Sequence, residues 1–368
     1  DIRRDGTGLV VSGTDGVIRG GATVSARLAG TTSRFLVALA ALGAESTVIT
    51  GDEPLRRRPL GPLHEALVAL GASVEFLEPP ASLPVKVTRS HVRGGEISVR
   101  GDISSQFLSA LMMIGPLLDG GLTIAVVGTL VSAPYVAITE RVMRAFGIEG
   151  VELSAERITI PMGAYQGCAY DVEPDASSAS YPLAAAAICG GEVLVPDLDS
   201  DALQGDIGFI EILRTMGCEV ESTPIGLRVR GTGRLVGARF DLKDMSDLVP
   251  TVAAMAAFAT GTTQITGVGF IREKESDRIG DLVAGLRLLG VDAAETDDGL
   301  VIDPVPLTRL HGGPLPTHHD HRLAMAWSLV ALRLAGVSID DPGVVAKSWP
   351  DWWSVRAQLV ASSRGSSG

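Results

Sequence analysis

An α/β fold built from tandem units of about 72 residues is what the sequence predicts. Three observations predict it. A helix-like run closed by a bulky residue and a glycine, then a short strand, ends at Gly71, Gly147, Gly217 and Gly290, at intervals of 76, 70 and 73 residues. An Ala/Leu-rich run followed by a Gly turn and an apolar strand begins near Ser33, Ser105, Ser178, Leu248 and His321, at intervals of 72, 73, 70 and 73. The 44 glycines and 20 prolines are spread over the 368 residues, which suits many short turns.

Each element follows from one of these patterns. The first phrase predicts outer helices over 64–70, 139–146, 210–216 and 282–289, each closed by a glycine in the left-handed cap position. The second predicts buried helices, because an amphipathic surface helix would keep a polar face and these runs do not. Short segments such as 46–50 and 72–75, bounded by Gly and Asp, read as strands. Five copies of the buried helix stand against four of the outer one. Asp1–Gly13 reads as the closing strand of a unit begun earlier, so the chain is expected to start roughly 65–75 residues into the pattern. Apolar faces left by an absent unit would be exposed or covered by a partner.

Composition excludes several classes. Hydrophobic residues are 46% and charged residues 20%, which supports a packed core. A net charge of −12 argues against nucleic acid or an anionic membrane as the main partner. An anionic small substrate stays open if basic residues cluster locally. Asp1-Ile2-Arg3-Arg4-Asp5 is charged where a secretion signal would be apolar, and the run Leu183–Val195 is too short for a membrane span. A soluble, cytoplasmic protein is expected. Cys168, Cys189 and Cys218 have no C-x-x-C spacing and read as small apolar core residues.

The chemistry-bearing phrases each have a plain alternative. Gly30-Thr31-Thr32-Ser33-Arg34 offers free N–H groups and hydroxyls to an anion, or is an ordinary helix cap. Arg56-Arg57-Arg58 offers a bidentate fork, or is a solvated run. Ser104-Ser105-Gln106 and Asp175–Ser180 place hydroxyls and amides at equivalent helix starts. Lys274-Glu275-Ser276-Asp277-Arg278 puts a proton carrier between two cations, or is an exposed helix pair. His318-His319-Asp320-His321-Arg322 tempts a metal reading, but no matching ligand set accompanies it, so no metal is expected. Lys347 alone is a loop lysine. Recurring at equivalent positions, the phrases point together to anion handling.

The set Gly51–Leu60, Gly101–Leu111, Asp175–Tyr181, Lys274–Arg278, Asp320–Arg322 and Ala346–Asp351 resembles the 5-enolpyruvylshikimate-3-phosphate synthase family, in order and spacing over essentially the whole chain. The resemblance implies an inside-out α/β barrel pair, two domains of three βαβαββ units each, with the site in the cleft between them. The domains would be 1–172, incomplete with two full units, and 173–361, followed by a flexible tail at 362–368. It implies transfer of the enolpyruvyl group of phosphoenolpyruvate to the 5-hydroxyl of shikimate 3-phosphate, with release of phosphate and no cofactor. Such a protein is the target of glyphosate, the herbicide that mimics phosphoenolpyruvate.

Carried over by motif, Ser104, Ser105, Gln106, Ser132, Tyr135 and Lys274 would hold shikimate 3-phosphate. Gly30, Arg58, Gln106, Arg278, Arg322 and Lys347 would hold phosphoenolpyruvate. Asp247 would accept the 5-hydroxyl proton while touching the same sugar-like ring, and Glu275 would carry a proton. Leu28 and Phe270 depart from the family's Asn residues. The family's opening Gly-Ser-Lys-Ser phrase is absent, so the expectation is either a truncated product or a separate N-terminal polypeptide as the partner that supplies the first unit. A non-catalytic scaffold of the same fold is the alternative. The sister transferase acting on UDP-N-acetylglucosamine is disfavoured, because Gly51–Arg58 lacks that enzyme's Cys.

Overall fold

The computed structural model describes residues 1–79, 81–88 and 90–365. The chain forms two compact units, Asp1–Asp171 and a second beginning at Val172.

The first unit opens with a hairpin, Ile2–Asp5 antiparallel to Gly8–Val11, all of it exposed. The single closing strand expected over 1–13 is therefore two strands, because Gly6 at φ +60° turns the chain back on itself. A four-stranded sheet follows in the order Thr23–Ser25, Thr47–Thr50, Val85–Thr88, Ser73–Phe76. Its first two strands are parallel and joined through helix α1 (Gly30–Ala40). Helices α2 (Glu53–Arg56) and α3 (Gly61–Ala69) lead to the remaining antiparallel pair. The pattern repeats in Gly95–Arg100, Leu122–Val127, Arg157–Ile160, Glu152–Leu153, with α4 (Ser105–Ile114) and α5 (Ala133–Ala145) in the same places. Each repeat is thus βαβαββ.

The second unit starts with α6 (Ala176–Cys189), then a three-stranded sheet in the order Gly191–Pro196, Gly226–Gly231, Glu219–Thr223, with α7 (Phe209–Thr215) before its last two strands in sequence. The four-stranded order recurs in Arg239–Asp241, Thr263–Thr266, Gly299–Asp303, Asp292–Thr296. Helices α8 (Val249–Ala256) and α9 (Arg278–Leu288) take the buried and outer places. A parallel pair, Pro314–Leu315 with Ser338–Ile339, is connected through α10 (His321–Arg333), and α11 (Trp352–Gly365) closes the chain.

The glycine caps behave as the sequence requires: Gly71, Gly147, Gly217 and Gly290 have φ of 94, 86, 96 and 84°. The count of four outer helices is corrected to five. Helix α11 takes the fifth outer position without the glycine-closed phrase, pinned instead by fully buried Trp352, whose Nε1 donates to Ser328 Oγ at 3.0 Å. It also runs into the stretch expected as a tail, since no Gly or Pro interrupts 353–364; residues 366–368 lie outside the described residues.

Burial all round holds for α8, whose every residue is buried, and fails for α1, where Leu39 is exposed and Phe35 and Leu36 only half-buried. Three helices, α6, α8 and α10, pack on one another in the second unit, whereas α1 has only α4 as a buried-helix neighbour in its own unit. The cysteines also need correcting. Only Cys218 is buried; Cys168 lies in an irregular stretch and Cys189 at the end of α6, both exposed. Among the described residues no helix is long and apolar enough to cross a membrane.

Candidate active site

The residues singled out from the sequence gather at helix starts, where unpaired N–H groups and the aligned peptide dipoles favour anions. In the first unit Gly30 opens α1, Ser104 caps α4, Ser105 and Gln106 are its first residues, and Ser132 precedes α5. The cap bond is long, Gln106 N to Ser104 Oγ at 3.4 Å, because that hydroxyl also accepts from Arg34 at 3.1 Å. The Arg34 guanidinium bonds Gln106 Oε1 as well and lies 4.6 Å over the Phe107 ring. Gln106 Nε2 in turn donates to Thr31 Oγ1 at 2.9 Å. A buried cation on α1 therefore orients the two groups at the start of α4.

Arg58 completes this cluster. Of the three-arginine run, Arg56 pairs with Glu78 and Arg57 with Glu53, both at the surface, while Arg58 lies against Gly30. A Cβ on Gly30 would stand 2.6 Å from Arg58 Nη1 and 3.0 Å from its Cζ. Gly30→Ala is therefore expected to displace Arg58, raising KM for the anion it holds by roughly tenfold, the value of one charge-assisted hydrogen bond, with the fold unchanged by circular dichroism. An unaltered KM would remove Arg58 from that role.

Ser132 sits in the left-handed region, φ 55°, and is buried; Tyr135, one turn on, is 37% exposed. Thr139 on the same helix donates to Tyr135 O or Ser109 Oγ, each 2.8 Å away, tying α5 to α4.

The second unit holds the denser cluster. Arg278, the first residue of α9, is 1% exposed and meets three carboxylates: Asp320 Oδ2 at 2.7 Å, Glu275 Oε2 at 2.8 Å and Asp247 Oδ1 at 2.9 Å. Arg322, near the start of α10, donates to Asp247 Oδ2 at 2.6 Å. Lys347 pairs with Glu275. The plain reading of 274–278 as an exposed helix pair does not hold. Lys274 lies 5.7 Å over Phe270, so the departure from the family's Asn supplies a cation–π contact in its place.

The electrostatics follow from this packing. Burial favours neutral Asp247, but Arg322, Lys274 and Arg278 together hold its carboxyl far below the usual range. Burial would neutralise Arg278; Asp320, Glu275 and Asp247 outweigh it and keep the guanidinium charged. Burial draws the Lys347 ammonium below its ordinary value against the pull of Glu275. Burial, then Arg322, lowers His321 to about 3, so it is neutral. The three histidines part company: His318 faces Asp281 and His319 faces Asp341, each at 3.4 Å, and His321 is buried. Among the described residues no group of His, Cys, Asp and Glu is placed to hold a metal ion.

Sequence reasoning missed three groups. Arg34 stood in a quoted phrase without a role; its signal was a lone charge inside an apolar helix. Asp320 is fully buried and accepts from Arg322 N at 2.9 Å, so it caps α10 and braces Arg278 at once. Asp206, buried in the turn Gly205–Gly208, gave no signal beyond an acid flanked by Gly and Ile. Arg34→Met is expected to leave Gln106 Oε1 and Ser104 Oγ without their cation and to cost about 1–3 kcal/mol, read as a lowered urea midpoint. An unmoved midpoint would show that Arg34 does not brace them.

Cations at helix starts, with carboxylates held among them, are the groups that a site handling anions and protons needs. The chain matches the EPSP synthase (3-phosphoshikimate 1-carboxyvinyltransferase) family over residues 2–355. It is 43% identical over 324 residues to the 3-phosphoshikimate 1-carboxyvinyltransferase of Methanothermobacter thermautotrophicus, covering 88% of this chain and 75% of that one. It is 42% identical over 331 residues to the protein of that name from Syntrophobacter fumaroxidans, covering 90% and 78%. An EPSP synthase structure from Acinetobacter baumannii superposes with a TM-score of 0.74 at 27% identity, covering 92% of this chain and 79% of that one. The chain belongs to the EPSP synthase family.

Proposed function

We propose that this chain transfers the enolpyruvyl group of phosphoenolpyruvate to the 5-hydroxyl of shikimate 3-phosphate and releases phosphate, its two compact units serving as the two domains. The observation that carries the reading is Asp247 held between Arg278 and Arg322, with Glu275 bridging Arg278 and Lys347.

In the addition step the 5-oxygen bonds to C2 of phosphoenolpyruvate while its proton leaves to Asp247. C3 takes a proton by way of Glu275, which loads one from water as the substrates displace its ion-pair partners, and Lys347 stabilises the carboxylate left behind. In the elimination the C2–O bond to phosphate breaks, C3 returns a proton to Glu275, the proton held by Asp247 passes to the departing phosphate, and Arg278, Arg322 and Lys347 are placed to meet the charge that phosphate carries. In the first unit, Arg58 at the Gly30 helix start holds one anion, and Ser104, Ser105, Gln106, Ser132 and Tyr135 offer hydrogen bonds to the sugar phosphate; in the second unit Lys274 is a further cation for a phosphate. Neutral His321 takes no part in proton transfer.

The test is phosphate release from the two substrates, measured on the chain alone and on the chain joined to the part of the Methanothermobacter relative that it does not span. Release in either arm supports the reading. None in both, from folded protein, would leave a non-catalytic scaffold of the same fold.

A further inference from the structure

A second buried carboxyl, which the mechanism above does not use, feels the charge of Asp247. Asp206 is 3% exposed and sits in the turn Gly205–Gly208, which packs on α6 and α7. The start of α6 is clamped from the same segment, as Gln204 Oε1 accepts from Ala176 N at 2.9 Å. Asp206 Oδ2 accepts from the Ser177 hydroxyl, while Oδ1 has no hydrogen-bond partner among the described residues. A buried carboxylate oxygen without a donor is costly, so this side chain is either protonated or balanced by a nearby cation. The groups facing it are Asp175 and Ser177 from α6, Asp247 from the turn before α8, and Arg322 from α10. On α7, Glu211 and Arg214 pair with each other at the surface and take no part.

We propose that Asp206 is a positioning residue that sets the basicity of Asp247. Ionised, it places a second negative charge beside Asp247 and raises its affinity for the substrate proton. Once Asp247 has taken that proton, Asp206 remains as the anion beside Arg322, so the guanidinium does not face phosphoenolpyruvate unbalanced. Only one proton moves, from the 5-hydroxyl to Asp247; Asp206 keeps its charge throughout. The charges of the two carboxyls are coupled, and Arg322 acts on both, but only Asp206 titrates near neutrality. Burial, then the charge of Asp247, pushes Asp206 up to about 6, so it changes charge within the range where an enzyme works.

This inference rests on the assignment of Asp247 as the base, and the experiment separates the two. Asp206→Asn, Ser177→Ala and Asp247→Asn are compared with wild type in the active enzyme by kcat, by KM for both substrates from pH 5 to 8.5, and by thermal unfolding without substrate. Asp206→Asn is expected to lower kcat roughly tenfold at pH 7.5 with little change in either KM, and to lose one ionisation near pH 6 from the acid limb. The phosphate groups of the substrates titrate nearby, but they are common to every variant, so only the difference between variants counts.

The unfolding measurement is independent of activity. A carboxyl whose folded pKa is raised contributes stability below its unfolded value and loses it as pH rises through 6. Asp206→Asn should therefore melt higher than wild type at pH 8 and lose that advantage at pH 5. Should Asp206→Asn fail to fold, Ser177→Ala removes the hydroxyl that favours the ionised form and should move the acid limb to higher pH. A wild-type kcat profile in Asp206→Asn, an equal loss at every pH, or an unmoved limb in Ser177→Ala would overturn the proposal. If Asp247→Asn also keeps wild-type kcat, the assignment of the base itself has failed.

Discussion

Asp247→Asn is expected to lower kcat by about 10²–10⁴-fold, the usual worth of a positioned proton acceptor, while the protein stays folded. Asparagine keeps the shape, and its one oxygen can still accept from either Arg278 or Arg322, whose bonds to Asp247 are 2.9 and 2.6 Å, while its NH2 faces the other guanidinium. What it loses is the ability to take a proton. KM for the anionic substrates should hold or fall, because a negative charge has been removed from beside two cations that bind them. Arg322, Lys274 and Arg278 hold the Asp247 carboxyl far below the usual range. It is therefore charged at every working pH, and its own titration cannot produce an acid limb near neutrality. Steady-state kinetics on purified variant and wild type check this; a kcat within tenfold of wild type would remove Asp247 from the proton transfer.

Arg278→Ala is expected to cost stability more than any other single change in the cluster. The guanidinium is 1% exposed and satisfies Asp320, which is itself fully buried, together with Glu275 and Asp247. Removing one member of a buried charge pair leaves the partner charge stranded, at a cost of about 3–5 kcal/mol. The loss should depend on pH with a definite sign. Without its cation the buried Asp320 carboxylate is left stranded, which costs more where carboxylates are ionised than in acid. Its share of stability is then present at low pH and lost as pH rises. The variant should accordingly lie closer to wild type at pH 5 than at pH 8. Urea unfolding at the two pH values measures both, and a pH-independent difference below about 1 kcal/mol would show that the carboxylates find other partners.

Much of this architecture was legible in the chain because glycine and apolar periodicity leave strong marks. Gly147 and Gly217 cap helices at φ 86 and 96° where a side chain would be strained, so the repeat showed itself through the backbone. Helix α11 was not legible by that route, since tryptophan burial rather than a glycine cap fixes it. The hairpin at 2–11 was misread as one strand because a glycine turn inside a short polar run looks the same before and after it reverses the chain.

The site divides in a similar way. Ser104, Gln106, Arg58 and the 274–278 phrase stand out in the chain as charged and hydroxyl residues near helix starts, while the roles proposed for them rest on the family resemblance. Arg34 and Asp320 were not assigned, because their work is to hold other side chains, and such partnerships join positions 72 and 42 residues apart in sequence. Asp206 left still less trace: burial and an unpartnered oxygen are properties of the fold and have no spacing of their own.

The pairing of Arg278, Arg322 and Lys347 with carboxylates of the same chain has a consequence for how the protein meets other phosphates. Arg278, Arg322 and Lys347 already hold Asp247, Glu275 and Asp320, so a stray anion meets a neutral salt rather than an open trap. Entry requires loosening those internal bonds, and a small ion with one face to offer does not compensate for what it breaks. A ligand with a carboxylate and a phosphate on one rigid frame can take over several bonds at once. On the proposed reading, counter-charges already in place disfavour common anions, and selectivity comes from the number of bonds a ligand can replace together.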